Sequence, residues 1–300
     1  MSAPTTSGNA IAAEVPRLSA ILPLKLRDRY YGENFERCRL LFGSLTHFAA
    51  PDLFERILVV VPAEDRRKAE QLRTEFLSLP VEVENEEAFL PSRRPIIKTH
   101  GYFRQQVIKL WGGMTLGSDF VLTLDPDLLL CKPLARGDLF VDGRALLETD
   151  LRDRHPDWWT GSARLLGLPL DLTAPGMFVT PALLAREICQ RSAERLEAVH
   201  QRGWVEALLR NPWRIWGEYA LYYLMAEHLG LLHRFHIIAD RETPKRITCA
   251  SCVWGELQFE GWDLDACFDP AAPGYFTVMQ SSTRISVERV RARLAGYLPA

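Results

Sequence analysis

The sequence has no long apolar run. No stretch of its 300 residues approaches the roughly 20 apolar residues that a bilayer-spanning helix needs, so no transmembrane segment is expected. Charge of one sign is lacking too, since 36 Lys+Arg stand against 38 Asp+Glu. A dedicated nucleic-acid binder shows a strong basic excess, so nucleic acid is not an expected partner. The opening MSAPTTSGNAIAAEVPR has neither the basic start nor the apolar block of a secretory signal. Its small, polar residues predict disorder over 1–17, and a cytoplasmic location is expected. Cysteine is sparse: Cys38, Cys131, Cys189, Cys249, Cys252 and Cys267. Without an export signal, free thiols are the expectation. Cys249 and Cys252 form one C-x-x-C without a second pair, which reads as ordinary buried thiols rather than zinc. Repeats and long linkers are absent as well. The length suits one large domain or two small ones, and 47% hydrophobic with 25% charged residues is the composition of a globular protein.

Present instead are apolar strands alternating with amphipathic helices. LSAILPLKLRD (18–28) reads as a first strand ending in a polar loop. FERCRLLFGSLTHFA (35–49) carries apolar residues at helical spacing. ERILVVVP (55–62) is a continuous apolar run ended by proline, the pattern of a strand buried on both faces. A charged amphipathic helix over 63–79 and a short strand over 81–85 follow. THGYFRQQVIKLWGG (99–113) predicts a helix closed by Gly112 and Gly113, and DFVLTLD (119–125) the next strand. This alternation predicts an α/β fold with a mostly parallel sheet and helices on both sides. The second half reads as more helical, over 181–209 and 216–229. FHIIAD and GYFTVMQS are expected late strands, and 286–298 a terminal helix.

The best-marked strand runs into DFVLTLDPDLLLCKPL (119–134). Open parallel sheets bind ligands at the carboxyl ends of their strands, and Asp125 and Asp127 fall at such an end. Residues i and i+2 of an extended segment share a side, and Pro126 favours an extended Asp125. Two carboxylates about 6–7 Å apart repel by about 2–3 kcal/mol at an effective dielectric of 20. A hard divalent cation removes that penalty, because such ions prefer carboxylate and phosphate oxygens. Asp125 and Asp127 are therefore the candidate metal ligands, with Mn²⁺ or Mg²⁺ as the cofactor. The competing explanation is a solvated Asp-Pro-Asp turn.

With this motif the chain resembles the GT-A glycosyltransferases, and within them a poorly characterised bacterial glycosyltransferase-like family. The matching stretches are GYFRQQVIKL, FVLTLDPDLLLCKPL, PGMFVTPALL (175–184), WGEYALYYLM (216–225) and FTVMQSSTRI (276–285). The resemblance implies a GT-A-like, Rossmann-like domain over 18–300, with the donor part at 18–135 and a more helical acceptor part at 136–300. It implies transfer of a sugar from a nucleoside diphosphate donor to a glycan or other hydroxyl acceptor, in bacterial surface polysaccharide synthesis. Asp127 would then be the direct metal ligand, and Asp125 would touch the ribose or metal-bound water. Such enzymes often add a late histidine, for which His233 and His236 are the candidates. The alternative is that Gln280 or Ser281 completes the site.

A departing diphosphate accumulates negative charge, so cations and donors nearby are candidates. Lys98 precedes the helix at 99–113, whose N-terminus favours anions. On that helix Gln105 and Lys109 share one face and Arg104 another; the Gln105–Lys109 face is the favoured donor face. Glu218 opens a helix rich in apolar and aromatic residues. Burial there would raise its pKa into a useful general-base range, although a first-turn glutamate also suits the helix dipole. Trp158 and Trp159 are expected in a loop, as a sugar-stacking surface or as core. His100 and Arg27 are weaker donor-site candidates, and Asp28, at the end of the first strand, is a nucleotide-binding one. Two rival classes are a haloacid-dehalogenase-type phosphatase and a GT-A-shaped nucleotide or glycan binder without turnover. The leucines at 128–130 and the mid-chain position of the motif speak against the phosphatase.

Overall fold

The computed structural model of the chain describes residues 15–26, 33–91, 101–177, 180–211, 215–239 and 245–298. Arg27, Asp28, Lys98 and His100 lie outside the described residues, as does most of the N-terminal segment. Arg17, at the end of that segment, donates its backbone N–H to Asp119 at 2.9 Å.

The first half alternates as its periodicity predicts: β1 (Leu18–Pro23), α1 (Asn34–Phe48), β2 (Ile57–Val61), α2 (Arg66–Glu75), β3 (Val81–Asn85), α3 (Gly101–Thr115) and β4 (Phe120–Thr123). β1, β2 and β4 are buried at every residue, so helices must cover both their faces. β3 alternates buried valines with Glu82 and Glu84. It forms the sheet edge, where charges discourage pairing with another chain. The next elements are β5 (Leu128–Leu130), β6 (Phe140–Val141), β7 (Arg144–Leu151), α4 (Pro156–Leu166), β8 (Pro175–Met177) and β9 (Ala182–Ala185). α5 (Arg186–His200), α6 (Trp204–Leu209), α7 (Glu218–His228), β10 (His236–Ala239), β11 (Phe276–Val278) and α8 (Val287–Leu294) complete the main frame.

The central sheet has the order β3-β2-β1-β4-β9. The first four strands are parallel, and β9 runs antiparallel to β4, Thr123 opposite Ala182 and Phe120 opposite Ala185. The fold is thus α/β with a parallel-rich central sheet. A second sheet, β10-β7-β6 with β8 on β7, and the β5–β11 pair lie outside it. Among the described residues no helix is long and apolar enough to cross a membrane.

Three local expectations need correction. Residues 181–209 do not begin as helix: Ala182–Ala185 is β9, because four consecutive buried apolar residues satisfy a strand and a helical turn equally, and the open edge of β4 supplies the hydrogen bonds. Trp158 and Trp159 lie on α4 rather than in a loop. Gly112 and Gly113 do not close α3 but sit inside it. They are the points where the helix touches the sheet and α5: a Cβ on Gly112 would collide with Ile21, and one on Gly113 with Cys189.

Helical glycines should therefore respond with opposite signs. Gly43 of α1 has nothing within 4 Å of an added Cβ, so Gly43→Ala should stabilise by about 0.5–1 kcal/mol. Gly112→Ala should destabilise by about 1–3 kcal/mol through overpacking against Ile21. Urea unfolding of the two variants checks this.

Candidate active site

β4 delivers the acid pair. The chain leaves the central sheet after Thr123, turns through Asp125-Pro126-Asp127 and continues as β5, which pairs antiparallel with β11 outside that sheet, Leu128 opposite Val278. That pairing carries the residues after β11 back to the turn. Met279 N–H donates to the Asp127 carbonyl and Ser281 N–H to Asp127 Oδ2, both at 2.8 Å. Asp127 is 7% exposed. Burial raises its pKa and neighbouring Asp125 adds to the rise, while the Ser281 bond and Arg37 oppose them. Arg37, buried on α1, donates to the Met279 carbonyl at 3.2 Å and the Ile285 carbonyl at 2.6 Å.

Asp125 has other partners. It lines a cavity of about 440 Å³ together with Gln105, Lys109, Glu218 and Gln280. The Lys109 ammonium lies 3.0 Å from Asp125 Oδ1 and 3.2 Å from Glu218 Oε1, and donates to Tyr219 OH at 3.3 Å. Tyr219 OH in turn bonds Thr123 Oγ1 at 2.8 Å, which ties the cluster to the end of β4. Burial acts to lower the Lys109 pKa, but Asp125, Tyr219 and Glu218 outweigh it and hold it well above the ordinary value. Lys109 is therefore a fixed ammonium at the cavity floor.

Glu218 is placed by two helices. Its backbone N–H donates to Gln106 Oε1 of α3 at 3.2 Å, filling one of the unpaired donors at the start of α7. On the other side Gly161 of α4 lets residue 215 approach so closely that any Cβ would strike the Ile215 carbonyl. Ser162 Oγ then accepts from Gly217 N–H at 3.2 Å. The Glu218 carboxyl is buried, which raises its pKa; Lys109 pulls it down and Asp125 pushes it up.

The model of DUF6492, a family of unknown function, matches residues 15–300. The chain belongs to this family. No curated protein matches the sequence. Among solved structures, the apo form of mouse xyloside xylosyltransferase 1 is similar with a TM-score of 0.49 at 15% identity, covering 89% of this chain and 99% of that one. A crystal structure of S. aureus TarS 1-349 is similar with a TM-score of 0.27 at 14% identity, over 41% of this chain and 30% of that one. Resemblances at these scores carry no activity across to the DUF6492 chain.

The structure sorts the other candidate residues of this DUF6492 member. Gln105 and Lys109 both line the cavity, whereas Arg104 turns away to Glu86 at 2.9 Å. Trp158 lines the cavity half-buried, and Trp159, which also borders it, is 5% exposed and packs with Arg152 and Tyr223. His233 is exposed. His236, expected as a late metal ligand, does not join the acids. It sits wholly buried in β10, bonded through Nε2 to Tyr222 OH at 2.7 Å, and burial takes its pKa down to about 3. Its place beside β7 is dictated by strand pairing, His236 opposite Ala145. Among the described residues no group of three or more His, Cys, Asp or Glu is arranged to hold a metal. Among the described residues the carboxylates available to an ion there are Asp125 and Asp127, and Gln280 lines the cavity with Asp125. Two carboxylates suit an ion that takes its remaining oxygens from water and a substrate phosphate, and the raised pKa of Asp127 marks negative charge that a cation would relieve.

Arg37 escaped the sequence reading, as did Tyr219. Arg37 sits in helical register with Leu41 and Leu45, so an arginine in an apolar stripe was the available signal.

Lys109→Met leaves buried Glu218 and half-buried Asp125 without their shared cation. It should destabilise by about 3–5 kcal/mol at pH 7. The native contribution of Lys109 persists until pH rises through its raised pKa. Acidification should shrink the deficit, because Glu218, whose pKa burial raises, takes up a proton and no longer needs the ammonium. Unfolding free energies at pH 7 and pH 4 test both signs.

Proposed function

We propose that this protein is a metal-dependent GT-A-type glycosyltransferase. It moves a sugar from a nucleoside diphosphate donor to a hydroxyl of its acceptor. The observation that carries the reading is the constellation at the end of β4: Asp125, Lys109 and Glu218 within 3.0–3.2 Å contacts on one cavity floor, with Asp127 one turn away. The strand order, four parallel strands followed by antiparallel β9, supports it by placing this floor where open parallel sheets receive ligands.

Charge explains the metal. Among the described residues, Asp125, Asp127 and Glu218 are opposed by Lys109 and Arg37, three carboxylates against two cations. Asp125 and Asp127 would hold a divalent cation, which when bound supplies the missing charge and eases departure of the diphosphate. Gln105 lines the floor as a donor toward the same oxygens, and Lys109, whose N–H groups are taken by Asp125, Glu218 and Tyr219, adds its charge. Glu218 is the base. Its carboxylate takes the proton of the acceptor hydroxyl as that oxygen bonds to the anomeric carbon. The bond to the diphosphate breaks, and its electron pair leaves with the diphosphate. Lys109 keeps the base oriented, and burial raises its pKa above the ordinary glutamate value, the direction a general base needs.

Two outcomes are expected. In thermal shift assays with UDP-, GDP- and dTDP-sugars, one donor class should stabilise the protein in the presence of Mn²⁺, and Asp127→Asn should abolish that shift; an unchanged shift refutes its ligand role. Glu218→Gln should lower turnover by about 10²-fold or more with donor affinity retained. In the parent, kcat/KM should rise with pH along a limb lying above the ordinary glutamate value of 4.5, because the base must be ionised, and the variant should lack that limb.

A further inference from the structure

The same cavity carries a group of rings and polar side chains that the donor chemistry does not use. Tyr102, Trp158 and Trp254 line it together with Asp150, Arg154 and His155. Tyr102 and Trp254 are 36% and 41% exposed, unusual for rings of this size beside a cavity. Trp158 is held rigidly, stacked on His155 with ring centroids 4.3 Å apart and 20° between planes. It also lies against the start of α7: a Cβ on Gly217 would meet Trp158 Cβ at 3.7 Å. Trp158 thus neighbours the residue that precedes Glu218, and both side chains line the same cavity.

Asp150 supplies the polar complement. It ends β7, with Gly176 of β8 opposite, so a strand rather than a loop sets its position. Its Oδ1 accepts from Leu151 N–H and its Oδ2 from Arg154, both at 2.8 Å. A carboxylate has about four acceptor directions, so these two bonds orient it while leaving capacity for a ligand hydroxyl. Charge decides the ligand class. Among the described residues, Lys109 and Arg154 are the lysine and arginine lining the cavity; Lys109 is held by Asp125 and Glu218, and Arg154 pairs with Asp150 itself. The Asp150–Arg154 pair is neutral overall, so an anionic acceptor would have to compete with Asp150 for Arg154, whereas a neutral one would not. A neutral ring with one apolar C–H face and a rim of hydroxyls matches both the indole and the acid.

We propose that Trp158 and Asp150 form the acceptor subsite, and that it takes a neutral pyranose: Trp158 is the platform for the sugar face, and Asp150 orients a hydroxyl of the same ring. The acceptor role rests on the transferase reading, whereas the carbohydrate preference rests on this group of side chains alone.

The test uses the full chain and neutral probes: methyl β-glucopyranoside, methyl β-galactopyranoside and methyl β-xylopyranoside, with glucose 6-phosphate as the anionic comparator. Binding is read by saturation-transfer NMR and by quenching of tryptophan fluorescence. At least one neutral glycoside should bind. Trp158→Ala and Asp150→Asn should each weaken it by about tenfold, while the shift produced by the nucleotide-sugar persists. Should Trp158→Ala fail to fold, Asp150→Asn, altering a partly exposed side chain, decides the matter. The proposal is overturned if no neutral glycoside binds, if folded variants bind as well as the parent, or if glucose 6-phosphate binds more tightly than the neutral sugars. A parent that binds glycosides but shows no response to any nucleotide-sugar would remove the transferase reading and leave the carbohydrate site standing.

Discussion

Lys109 puts an ammonium where water hardly reaches, with 3% of its side chain exposed. Burying an isolated charge of this kind costs several kcal/mol. The cost is offset only because Asp125 and Glu218 come within 3.0 and 3.2 Å of it. The three residues come from three places: α3, the turn after β4 and the first residue of α7. Their meeting therefore locks the central sheet to the helical second half. It also joins what the proposed chemistry separates, the acid nearest the donor phosphates and the base nearest the acceptor. Tyr219 OH and Thr123 extend the same network into the sheet.

The surroundings exist to hold these groups at fixed positions. Gly112 lets α3 sit down on β1, and that close approach sets the height of Lys109 above the sheet. Gly161 and Ser162 of α4 seat the chain that leads into α7, and Gln106 satisfies the first N–H of that helix. Around Asp127 the β5–β11 pairing does similar work, because it brings up Ser281 N–H, which together with Arg37 opposes the rise that burial and Asp125 give the carboxyl's pKa. Preorganisation of this kind reduces the reorganisation a charged transition state demands.

Much of the frame was legible along the chain. The apolar runs at 57–61 and 120–123, the alternation at 81–85 and the helical stripe of α1 each carry a period that local geometry enforces. The Asp125–Asp127 pair announced itself because carboxylates interrupt a buried strand, and Glu218 because an acid opens an apolar helix. Lys109 stood out with Gln105 as one helical face. Legibility failed where periodicity is degenerate or where a residue answers to a distant partner. Ala182–Ala185 is too short to show a period, and only the free edge of β4 makes it a strand. Gly112 and Gly113 look like a helix stop unless Ile21 and Cys189 are known to press on them. His236 looked like a ligand by residue type, yet its strand pairing sends it into the core beside Tyr222.

The sequence by itself determined the α/β alternation, the position of the acid pair at a strand end and the residue types available for the chemistry. These depend on side-chain period and backbone propensity over short stretches of neighbours. Only the tertiary structure decided which of those residues meet. Arg37, Lys109, Glu218 and Ser281 are far apart along the chain, and their roles follow from long-range contacts whose energies depend on distance and burial, neither of which a local pattern encodes.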